Sequence, residues 1–159
     1  MTGTLLILGR LFVILVGYIV AVLAAGAFFN IVMFGSAGYL AGTPAWAITA
    51  SIAAGIPFIA LIVGYYAFLP AAVIIGLTEL LGRRDWLTYA LGGGAASLLF
   101  IGYFRQPGYP EAGSASEPRF LDDPQMIMLI IGSGLVGGIA YWMVAGNSAG
   151  SWRNDFNEE

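Results

Sequence analysis

From Leu11 to Thr78 the chain carries no Asp, Glu, Lys or Arg. Such a run cannot cover a water-facing surface. A soluble domain gives about 25% of its residues to charge, whereas this chain is 9% charged and 59% hydrophobic. A bilayer is the solvent that suits this composition. A transmembrane helix needs about 20 apolar residues to cross a hydrocarbon core roughly 30 Å thick. Four stretches meet that requirement: Leu11 to Phe34, Trp46 to Leu81, Trp86 to Phe104 and Gln125 to Ala145. The reading is an all-α, polytopic membrane helical bundle with four transmembrane helices, forming a single transmembrane domain over residues 1–159.

The second stretch is too long for a straight crossing. As one helix it would measure about 54 Å at the usual rise per residue, yet it is too short for two crossings and a turn. It holds Pro57 and Pro70, and a proline inside a helix removes one backbone hydrogen bond and bends the axis. A kink near Pro57 is therefore expected. Arg10, an apolar core and Ala25-Gly26-Ala27 imitate a secretory signal with its cleavage site. Apolar character continues through Phe28 to Phe34, so the segment is expected to remain as a helix.

The six cations, all Arg, set the orientation. With the N-terminus inside, Arg10, Arg83, Arg84 and Arg153 are cytoplasmic, and Arg105 and Arg119 are outside, as the positive-inside rule requires. Trp86, Trp142 and Trp152 then mark the inner interface, and Trp46, Tyr103 and Phe104 the outer one. Residues 105–124 become an outer loop and 146–159 a cytoplasmic tail. Exclusive use of Arg points to a GC-rich bacterial genome and hence to a bacterial inner membrane. Asp122 and Asp123 precede Pro124, a sequence suited to capping the fourth helix.

The chain has no Cys and no His. Disulfides, thiol chemistry, imidazole-ligated haem, Cys/His zinc sites and His-dependent triads are all excluded. No metal, cofactor or catalytic set is expected, and the scattered net charge of −3 offers no nucleic-acid surface.

Two features remain as candidate sites. The first is the return of charge at Glu79, Arg83 and Arg84. Glu79 stands four residues before Arg83, the favourable order for a helical ion pair, so it is expected to be a neutralised pair facing the headgroups. The alternative is that Glu79 faces the bundle, where an intramembrane ionisable group is a functional candidate. The second feature is a set of small residues four apart, which let membrane helices approach closely. The first helix has Gly17, Ala21 and Ala25, the second Ala47, Ser51 and Gly55, and the third Gly92 and Ala96. The fourth has two such ridges, Gly134 with Gly138 and Ser133 with Gly137. A face left over after the bundle closes would serve a membrane partner or a second copy. Asn30 is expected to make a helix–helix hydrogen bond.

Two patterns occur together: P-A-x-x-I-I-x-x-x-E-x-x-x-x-R, over Pro70, Glu79 and Arg84, and Y-W-x-x-A-G-x-x-A-G-x-W-R, from Tyr141 to Arg153. In this combination the chain resembles small four-helix inner-membrane proteins of alphaproteobacteria, over roughly half its length. Asn147 stands where that pattern more often has Arg. The resemblance implies a four-helix membrane fold and carries no activity with it.

The functional expectation is a non-catalytic accessory, assembly or scaffold subunit. A small transporter or channel component acting as an oligomer is the alternative, supported by the proline-bearing second helix and Glu79. An enzyme acting on lipid ranks last, since its acid–base groups would have to come from the outer loop.

Overall fold

The computed structural model describes residues 2–36, 42–105 and 123–150. Four helices carry them: α1 (Thr2–Ser36), α2 (Ala45–Leu81), α3 (Trp86–Phe104) and α4 (Pro124–Val144), with a short 3-10 turn at Gly146–Ser148. Each contains a segment long and apolar enough to cross a membrane, and among the described residues there is no strand. The chain is a polytopic membrane-type bundle.

The helix ends follow from local chemistry. Asp85 caps α3, its carboxylate accepting the Thr88 amide at 2.9 Å. Asp123 does the same for α4 by accepting the Gln125 amide, with Pro124 in the first turn, where a missing N–H costs nothing. Asp122 lies outside the described residues, as do most of the expected outer loop and the tail beyond Gly150. α2 stops at Gly82, which adopts the left-handed conformation at φ 62°. The Gly82 amide donates to Glu79 O and the Arg83 amide to Thr78 O, the paired closure that ends a helix with glycine. Neither Pro57 nor Pro70 interrupts α2.

The helices form a ring. α1 and α3 both pack closely on α4, α2 closes the ring against α1, and its seam with α3 is the loosest. The small residues explain why α4 is so tightly held. A Cβ on Gly134 would overlap Gly93 O and Ser97 Oγ, and one on Gly138 would overlap Tyr89 O. On the neighbouring ridge, a Cβ on Gly137 would lie 3.1 Å from Ala21 O and 3.3 Å from the Ala25 Cβ. Gly134 and Gly138 therefore face α3, while Gly137 faces α1, with Ser133 buried beside it and its hydroxyl donating to Ile130 O. Two ridges offset by one residue point about 100° apart on a helix, so one helix can seat two neighbours.

The ridge of α1 meets α4, with Gly17 against Ala145 and the Tyr141 ring. On α3 the α4 contact belongs to Gly93, while Gly92 faces Ile74 of α2. On α2 only the end of the expected ridge is used: Gly55 lies under Asn30, whereas Ser51 is exposed and bonded back to Ala47 O.

Helix α1 begins at Thr2, ahead of the span expected from Leu11, so Arg10 lies within the helix. A charge in that position needs a partner, and the bundle provides one.

Candidate functional site

Arg10 meets Glu79 across the α1–α2 interface, 69 residues away in sequence. The guanidinium Nη2 bonds to Oε1 and Nε donates to Oε2 at 3.2 Å, a bidentate pair. Both side chains are only 11% exposed. Further bonds to each group come from the segment that follows α4. Arg10 donates from Nη1 to Ser148 Oγ at 2.8 Å and from Nη2 to Ala145 O at 3.0 Å. Glu79 Oε2 also accepts the Gly150 amide at 3.1 Å. Two charges removed from water are tolerable only when such extra bonds complete the pair.

The ion pair between Glu79 and Arg83 does not form, and Glu79 is buried rather than facing outward. The cause is Gly82. It closes α2 in the left-handed conformation, so the helical stripe that would have carried Arg83 one turn beyond Glu79 ends first. Arg83 contributes its backbone instead, its carbonyl accepting from the Tyr89 hydroxyl at 3.1 Å. Arg84 belongs to the site in full: its Nε donates to Ala149 O at 2.9 Å, and its carbonyl accepts from Trp142 Nε1 at 2.7 Å.

The A-G-x-x-A-G segment forms the other wall. Ala145 and Ala149 are fully buried, and Gly146 and Gly150 are buried with them. A Cβ on Gly146 would overlap the Tyr89 ring, and one on Gly150, itself at φ 70°, would press on Gly82 Cα. Asn147, by contrast, is exposed and bonds back to Met143 O. The described residues of the two sequence patterns, far apart in the chain, thus meet at one end of the bundle: Glu79 and Arg84 from one, Tyr141 to Gly150 from the other. Sequence reasoning found Glu79 and Arg84 but missed Arg10, Ser148 and Gly150. The one available signal was the occurrence of the two patterns together.

Above this cluster the Tyr89 and Tyr141 rings lie 5.4 Å apart. The Tyr141 hydroxyl is buried without a hydrogen-bond partner. Beyond the rings a cavity of about 380 Å³ runs up the middle of the bundle, lined by all four helices. Its walls are apolar apart from a few hydroxyls, including those of Tyr18, Ser97 and Ser133. Each of these three is spent on a carbonyl: Tyr18 on Gly64 O of α2, Ser97 on Gly93 O and Ser133 on Ile130 O.

At the opposite end Asn30 is fully buried, its amide donating to Gly26 O of its own helix. Its Oδ1 has no conventional donor and sits over Gly55 of α2, where a Cβ would stand 2.5 Å away. Among the described residues no three Asp, Glu, His or Cys come together as a metal site would need. Comparison with known proteins finds no family model, no curated protein and no solved structure that matches this chain.

Proposed function

We propose that the chain is a non-catalytic integral membrane protein of the bacterial inner membrane, acting as an accessory or assembly subunit. Both ends of the described chain, and with them the Arg10–Glu79 cluster, lie on the cytoplasmic side. The observation that carries this reading is the surface of α2. Of its 37 residues only Ala60, Thr78 and Glu79 are buried, and 20 are exposed. Phe58, Leu61, Tyr65 and Leu69 are all exposed on it. A helix of this length measures about 55 Å, well beyond the bilayer core, and a partner subunit gives such a surface something to pack against. The buried charges support the same reading. Each nitrogen of the Arg10 guanidinium and each carboxylate oxygen of Glu79 has a partner within the bundle, which suits a structural clasp better than a group that must bind and release a proton.

Photo-crosslinking residues placed at Phe58, Leu61, Tyr65 and Leu69, with Met128 and Met143 of α4 as controls, test the reading in native membranes. Discrete protein adducts confined to α2 are expected. Lipid adducts alone at all six positions would overturn it. The absence of Cys makes orientation simple to test: a single Cys at the exposed Asn147 should react with an impermeant maleimide only from the cytoplasmic side.

A further inference from the structure

The central cavity has a shape that limits its occupant. On α4 it extends from Tyr141 to Ile130 and on α2 from Ile75 to Ile59, spans of about 16 and 24 Å along the helices. A volume of 380 Å³ drawn out over about 20 Å of helix leaves a narrow slot. A slot this narrow excludes a helix from a partner or a second copy, whose diameter is about 10 Å. Its apolar walls also give water too few partners to hold it there. A single hydrocarbon chain fits both the width and the lining.

Two further observations define how such a chain lies. The loosest seam of the ring lies between α2 and α3, the side by which a bilayer lipid would enter. At the cluster end stands Tyr141, 4% exposed, with its hydroxyl unclaimed by any protein group. It lies one turn from the end of α4, a helix long and apolar enough to span a bilayer. We infer that the slot is a binding site for one acyl chain of a membrane lipid. The lipid's ester carbonyl accepts from Tyr141, and the tail runs towards Phe100 and Ile130. The inference does not depend on the assembly role: a protein with no partner would keep the same slot.

The probe is a phosphatidylethanolamine carrying a diazirine near the end of one acyl chain, supplied in vesicles with the full-length protein. Photolysis followed by peptide mapping should place the label on slot residues around Phe100 and Ile130, above the background on outward positions such as Leu61 and Leu69. Excess unlabelled phosphatidylethanolamine should reduce the slot label and leave the outward label in proportion to dilution alone. Ala67→Phe fills the slot, and its label there should fall roughly tenfold or more because the ring occupies the chain's place. Ala53→Phe, on the exposed face of α2, should keep it. If Ala67→Phe does not fold, the wild-type mapping and competition still decide. Label spread evenly over outward residues, or slot label unaffected by either competitor or Ala67→Phe, would overturn the proposal.

Discussion

The two ends of this bundle solve the same problem in different ways. Each has to hold polar groups where the surroundings are apolar. At the cluster end the groups are charged and come from three segments: Arg10 on α1, Glu79 on α2 and the Ser148–Gly150 stretch after α4. At the far end the buried Asn30 turns back to its own helix and leaves its oxygen over a glycine. The first arrangement couples distant segments, so it fixes how they assemble. The second satisfies one side chain locally and fixes little. α2 is therefore pinned firmly at its Glu79 end and held elsewhere mainly by close backbone approach, as where Gly26 meets Ala60 and Ile56 O.

The sharpest test of this contrast lies between the ends, where glycine permits backbone contact. Gly138→Leu must drive a side chain into Tyr89 O, and backbone cannot retreat as a side-chain tip can. The variant should yield no monodisperse species in detergent gel filtration, whereas Gly76→Leu, with open space around it, should elute like the parent.

Next in size is the clasp. Arg10→Met leaves the Glu79 carboxylate buried without its partner, a loss of about 3–5 kcal/mol for pairs of this kind. Replacing both, as Arg10→Met with Glu79→Leu, should recover most of that loss, because an apolar pair carries no desolvation penalty. Unfolding in mixed micelles reads both values. The far end should respond less: Asn30→Leu is expected to change stability by at most about 1 kcal/mol, the usual range for polar contacts between membrane helices. A larger loss would make the two ends equivalent.

The smallest effect concerns the turn beside the clasp. Bonds from the Thr88 hydroxyl and amide hold the Asp85 carboxyl below its ordinary value of 3.8. A lowered folded-state value stabilises the fold above the unfolded value, and that contribution disappears as pH falls through the folded one. Acidification below about pH 4 should therefore weaken the parent slightly relative to Asp85→Asn, which caps without titrating. Equal acid profiles would remove the cap from the account.

Much of this architecture can be read from residue types alone. The four apolar spans, the Asp123 cap and the two ridges of α4 all depend on composition and short-range spacing, which a sequence displays directly. The partner of Glu79 does not. An acid four residues before an Arg reads as a helical pair, and only the conformation of Gly82 shows that the helix ends between them. That glycine was a legible stop signal. Arg10 was harder, because a contact across 69 residues has no local signature and a lone Arg near a helix start looks like an interfacial anchor. The A-G-x-x-A-G stretch was visible as a pattern, but its purpose depends on what it packs against. The slot is still less legible, since an empty space is a property of four helices together.

The central claim is that Glu79 is a buried clasp joined to Arg10 and not the headgroup-facing partner of Arg83. Two double-mutant cycles in mixed-micelle unfolding test it most directly: Glu79→Gln combined with Arg10→Met in one, and Glu79→Gln combined with Arg83→Met in the other. The account predicts a coupling of about 2 kcal/mol or more for Arg10 and Glu79, within the range for residues sharing one network. For Arg83 and Glu79 it predicts a coupling below about 0.5 kcal/mol, as for independent sites. A larger coupling to Arg83 than to Arg10 would contradict it.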